Sequence, residues 1–288
     1  MIGERTGLMK RRIAIAALVF VLVVAGCGHG STRDPVADAR NGLDQVKRGT
    51  VHVELEMVDG RAPSPSVGFA TDGTFDLGPT SAARPATDVM TVNLGTPDDL
   101  PSHFVSTGQD AFIVQGDVGY QLKAMPLPPA QPVLDLPTLL GDLKAQPPTT
   151  TAAGDAVDRV TGGVDPVATV NGVVDLADRL GAGPDAALRV SPADAARVRG
   201  ATRSSTVEVL TGRDDHLLRS FIAHIELATT TPSSPPFADA MTGGAVVHAL
   251  RKLGQVTLTV EVRLDDPNAP VVIAPPATIR PISELGGS

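Results

Sequence analysis

Between positions 50 and 58, apolar and polar residues change places at almost every step. Val51, Val53, Leu55 and Met57 fall on one set of positions, and His52, Glu54 and Glu56 on the other. A period of two puts one set on each face of a β-strand, so "TVHVELEMV" predicts a strand with one dry face and one wet face. The alternation is cleanest in "QVTLTVEVRL", where Val256, Leu258, Val260, Val262 and Leu264 oppose Thr257, Thr259, Glu261 and Arg263. Shorter runs in "VGFATDGTFDLG", "DVMTVNLG", "HFVSTG", "DAFIVQGDVGYQLK" and "VDPVATVNGVVD" predict further strands. Asp59-Gly60 and Gly116-Asp117 supply the turns that an antiparallel meander requires. "STVEVLTGRDDHLLRSFIAHIEL" reads as a hairpin turning at Gly212 to Asp215.

Three segments follow a helical period instead. In residues 34–48, Asp34 suits the N-cap and Pro35 the first helical position. Val36, Ala39, Leu43 and Val46 then recur on one face, and Gly49 sits past the end. "LDLPTLLGDLKA" spaces Leu136, Leu139, Leu140 and Leu143 for a helix, and "SPADAARVRG" starts on Ser191 and Pro192 and ends at Gly200. The Pro-rich stretches "AMPLPPAQP" and "TTTPSSPPFADAMTGG" predict surface loops or a lid. Strands with one apolar face must cover it, and a single curved sheet closed by helices does so, which makes the expected class α+β.

The front of the chain has a different pattern. Residues 1–12 carry Arg5, Lys10, Arg11 and Arg12 against Glu4, and Ile13 to Gly26 is uncharged. Fourteen residues are too few to cross a bilayer comfortably, which takes about 20, but they suit a secretory signal core. The run ends in Val24-Ala25-Gly26-Cys27, which resembles the bacterial lipobox, in which the cysteine is acylated and becomes the first mature residue. Residues 1–26 are therefore expected to be a lipoprotein signal peptide and 27–33 a flexible tether. Acylated Cys27 would then hold the protein on the outer face of the cytoplasmic membrane, since two or three acyl chains anchor stably where one does not.

Cleavage at that point takes the formal net charge from -8 to -11 and leaves 262 residues, enough for a sizeable core. An acidic surface argues against a nucleic-acid partner. Cys27 is the only cysteine, so no intrachain disulfide can form; Tyr120 is the only tyrosine and tryptophan is absent, which disfavours stacking platforms for glycans or bases. No H-x-x-x-H pair, G-x-S-x-G elbow, phosphate loop or dinucleotide fingerprint occurs, so no catalytic residue, metal or cofactor is expected. Asp214-Asp215-His216 lies between two strands, where turn chemistry explains it.

The order of features, from lipobox through spacer, helix, long meander, leucine-rich helical piece and second meander ending in "APVVIAPP", resembles the actinobacterial LppX/LprG lipoprotein family. "VTGGVDPVATVNG" is the other suggestive stretch. The resemblance implies a U-shaped antiparallel half-barrel with a few short helices over an apolar cavity, in one lipid-binding domain at 34–276 followed by a tail at 277–288. It also implies that the protein is no enzyme but a carrier of lipids or glycolipids from the cytoplasmic membrane toward the outer envelope, with a membrane exporter as a partner. Independently of the family, Val51, Val53, Leu55, Met57, Phe221, Ile225, Leu258, Val260 and Val262 would give acyl chains an aliphatic wall. The same residues would serve a filled core equally well. The other reading is a non-catalytic accessory or scaffold lipoprotein for an envelope transporter or enzyme.

Overall fold

A computed structural model of the chain describes residues 33–60, 66–78, 85–94, 101–122, 135–183, 188–228, 246, 249 and 254–285. Cys27 and both Pro-rich stretches lie outside them. Contacts divide the chain into Met1–Asp34 and Pro35–Ser288, and the elements below belong to the second unit. The first meander runs through β1 (Arg48–Asp59), β2 (Val67–Asp76), β3 (Ala86–Leu94), β4 (Ser102–Thr107), β5 (Ala111–Gln115) and β6 (Val118–Gln121). The second runs through β7 (Lys144–Thr150), β8 (Ala156–Gly163), β9 (Thr202–Gly212), β10 (Leu218–Ala228) and β11 (Gln255–Asp265). The helices described in full are α1 (Pro35–Asn41), α2 (Leu136–Leu139), α3 (Pro166–Leu180) and α4 (Pro192–Ala201).

The two meanders sit back to back. With β12 (Thr278–Pro281) at one edge, strand order is β12-β6-β5-β4-β3-β2-β1-β11-β10-β9-β8-β7, so the antiparallel pairing of β1 with β11 is the seam that joins them into one sheet. Its register follows the alternation read from the sequence: Val53 faces Val262, Leu55 faces Val260 and Met57 faces Leu258. A shift of one residue would turn every buried side chain toward water. Helix α3 lies over β1 and β11, α4 over β10, and α1 against β8 and β9. The helices' buried residues join the same apolar cluster as the inner face of the sheet. The result is an α+β, half-barrel-like fold.

Four sequence expectations change. "VDPVATVNGVVD" is not a strand but the front of α3. Asp165 caps it, accepting from the Ala168 N–H at 2.7 Å, Pro166 occupies the first turn, and Gly181 (φ 90°) ends it. Val167, Val170, Val173, Val174, Ala177 and Leu180 repeat at helical spacing, so their common stripe outweighs the β-preference of the branched valines. The helix expected over 34–48 stops at Asn41. The leucine-rich helix shrinks to the single turn of α2, and Leu140 instead bridges to Val164.

The fourth change concerns 277–288, expected as a tail. Thr278–Pro281 forms β12 and pairs with β6, the one parallel pairing among the described strands, and Ile282–Glu284 adds a 3₁₀ turn. A strap leads there from Asn268, whose side chain accepts from the Lys47 N–H at 2.7 Å and donates to the Gln45 carbonyl at 3.1 Å. Crossing from β1 to β12 takes six inter-strand steps, about 29 Å at the usual spacing, and the ten residues to Thr278 reach about 33 Å when extended. The strap is long enough to make the crossing.

Candidate functional site: the inner face of the sheet

All nine residues expected to line an apolar wall come together. They are at most 4% exposed and occupy the inner face of three adjacent strands, β1, β11 and β10. Cross-strand register sets them in rows: Val53, Val262 and Phe221 in one, Leu55 and Val260 with Ala223 in the next, and Met57, Leu258 and Ile225 in the one after. None carries a hydrogen-bonding side chain. Val170, Val173, Val174 and Ala177 of α3 belong to the same cluster, as does Val198 of α4. Sequence reading missed the α3 valines because it had placed them on a strand.

Beyond β1 the inner face changes character. On β2, β3 and β4 it presents Phe69, Phe75, Val89 and Phe104, interleaved with Thr71, Thr87, Thr91 and Ser106. Thr71 and Thr91 stand directly opposite each other, and their hydroxyls bond at 2.9 Å. Ser106 donates to the Pro85 carbonyl at 2.9 Å and accepts from the Gly108 N–H at 3.2 Å. The Thr87 hydroxyl is buried and has no hydrogen-bond partner among the described residues. Helix α3 reaches this region through its end: a side chain added at Gly181 would lie 2.0 Å from the Phe104 ring.

Helix α3 is fastened at three places. Burial alone would push the Asp165 carboxyl up, but hydrogen bonds from Arg199 and from the Ala168 N–H hold it below the ordinary carboxylate range. Asn171 pairs with the backbone of Val190 in both directions, at 2.8 and 3.0 Å. Arg189 bridges Asp175 and Asp178; burial works against its charge, yet the two carboxylates raise its affinity for the proton.

Two clefts lie away from the nine residues. One, about 690 Å³, is lined by Lys144, Thr161, Thr206, Glu208, Ile222 and His224, among others, on the outer side of β8 to β10. The other, about 710 Å³, sits at the sheet edge between the start of β5 and the strap's landing point, around Asp110, Gln121 and Arg280. The turn at 213–215 forms as expected. Asp215 accepts from Arg219 at 2.6 Å and from the Leu217 N–H at 3.1 Å. His216 lies 2.8 Å from Asp38 and has φ 61°. Two further histidines face carboxylates: His103 lies 2.7 Å from Asp88 and His52 2.7 Å from Asp72.

No protein-family model matches the chain, and no curated protein does. Among solved structures, the chain is similar to LprF from Mycobacterium bovis, with a TM-score of 0.45 and 14% identity over 84% of this chain and 95% of that one. A LolA superfamily protein, NE2245 from Nitrosomonas europaea, aligns with a TM-score of 0.20 and 8% identity over 80% of this chain and 91% of that one.

Proposed function

We propose that this chain is a lipid-anchored envelope protein that binds the acyl chains of a lipid or glycolipid against the inner face of its sheet and helps carry them from the cytoplasmic membrane toward the outer envelope. The observation that carries the reading is the unbroken aliphatic surface of β1, β11 and β10, which makes no hydrogen-bonding demand on whatever covers it. Each methylene withdrawn from water is worth about 0.8 kcal/mol, so a carrier of long chains needs such a surface and little else. In this reading α3 is the cover that an acyl chain would have to displace or slide beneath. Acylated Cys27 would hold the body at the outer face of the cytoplasmic membrane, with lipid in reach. The reading assigns no catalytic role to any residue.

The test uses the full-length chain with Cys27→Ala, produced in a host that makes its own envelope lipids, and analyses it by native mass spectrometry and solvent extraction. Roughly one co-purifying lipid per chain is expected. Lipid-free protein that also fails to take up added phospholipid or glycolipid would sink the carrier reading. One observation favours the scaffold alternative: β7 and β12 are exposed edge strands onto which a partner could add. Pro147 and Pro148 in β7 and Pro281 in β12 remove edge donors, which weakens that route.

A further inference from the structure

The outer side of the seam holds a group of side chains that the carrier reading does not use. His52 and Glu54 are two apart on β1 and so share a face, and Glu261 of β11 stands directly opposite Glu54. One donor atom from each lies within 4.8 Å of the other two, and the three side chains are partly buried. Like charges directly opposite each other in a sheet destabilise it, yet this carboxylate pair sits at the pairing on which the whole sheet depends.

The histidine sharpens the problem. Its Nδ1 lies 2.7 Å from the Asp72 carboxylate, which can only accept, so Nδ1 carries the proton. In the neutral ring Nε2 is then an acceptor, and it faces another acceptor, the Glu54 carboxylate, at 3.3 Å. A hydrogen donor or a cation placed between them would satisfy both acceptors. A tetrahedral zinc with bonds near 2.1 Å holds adjacent donors about 3.4 Å apart, close to the 3.3 Å between His52 and Glu54, with a Glu261 oxygen within 4.8 Å of both. Asp72 plays the part of the carboxylate that orients a ligating histidine from behind. Arg263, 3.2 Å from Glu261, is the competing cation.

We infer that His52, Glu54 and Glu261 form a binding site for a divalent transition-metal ion of the zinc class, with a fourth position open to water, that clamps β1 to β11. Nitrogen and carboxylate donors of this kind suit zinc better than calcium or magnesium, which favour all-oxygen shells. The inference is independent of what the inner face carries.

The experiment is zinc titration by calorimetry, with cobalt absorption as a second readout, on the full-length chain carrying Cys27→Ala so that no thiol competes. One site is expected, weakened roughly ten-fold or more by His52→Ala or Glu261→Gln and by a comparable factor for Asp72→Asn. Arg263→Ala, which frees Glu261, should tighten it, and bound zinc should raise the melting temperature. Should His52→Ala not fold, Glu261→Gln at a partly exposed position gives the same reading. Absence of binding, or binding unchanged by both ligand substitutions, would overturn the site.

Discussion

On the inner face of β1, β11 and β10 the side chains are Val, Leu, Ile, Met, Ala and Phe, whereas on β2 to β4 nearly every second one is a hydroxyl. The hydroxyls are no less buried, with Thr71 and Thr87 as inaccessible as Val53 and Val260. What differs is the kind of information each carries. An aliphatic surface rewards any apolar cover of the right shape, so it can exchange one cover for another. A buried hydroxyl is satisfied only by a particular partner in a particular register, and it loses roughly 1–3 kcal/mol when that partner is absent. The hydroxyl region therefore fixes geometry, and the aliphatic region supplies adhesion.

The largest test of this division is Phe221→Ala in the aliphatic region. A tightly packed site should lose about 3–5 kcal/mol in urea denaturation. A loss below about 1 kcal/mol, together with altered lipid content, would mean that the face keeps room for a ligand. Next comes Gly181→Ala, which forces a side chain into a left-handed conformation and against Phe104. A destabilisation of about 2 kcal/mol is expected, with faster hydrogen exchange at the end of α3. If stability is unchanged, α3 is not seated on the hydroxyl region.

Smaller effects divide the hydroxyls among themselves. Thr71→Val should cost about 1–2 kcal/mol by orphaning Thr91, and adding Thr91→Val should restore most of the loss. Thr87→Val, which removes an unpartnered hydroxyl, should be neutral or stabilise by up to about 1 kcal/mol; a clear loss would mean that a partner is present in solution. A separate, pH-dependent effect is expected at the start of α3, where Asp165→Ala should cost about 1 kcal/mol at neutral pH through the lost cap. Asp165 has its folded pKa below the ordinary 3.8, so its contribution is complete above that value and disappears as pH falls through the lower folded value. The gap between wild type and variant in denaturation midpoint should close on acidification.

The strands that frame the inner face were legible because period-two alternation survives wherever one side of a sheet is dry, as in β1, β9, β10 and β11. Helix α3 was misread because its valines favour strands locally, although Asp165, Pro166 and Gly181 were visible as start and stop signals. Strands β7, β8 and β12 escaped notice for another reason. β7 and β12 lie at the edges with scarcely a buried residue, so their sequences, "KAQPPTT" and "TIRP", carry no dry face to reveal them. β8 buries only Val157, Asp158 and Val160, and two glycines close it. The cluster of His52, Glu54 and Glu261 depends on a register between strands about 200 residues apart, which no local pattern encodes.

That long-range seam also sets a timetable for the chain. Beside β1 on one side is β2, made within seconds of it, but the place on its other side stays vacant until β11 has been synthesised. At 5–20 residues per second, the intervening 200 or so residues take roughly 10–40 s. Throughout that interval the most apolar strand edge of the protein waits at the centre of an unfinished sheet. A chain that stops short of residue 255 would leave two half-sheets without their common border, so the protein's vulnerability to aggregation is greatest just before its synthesis ends.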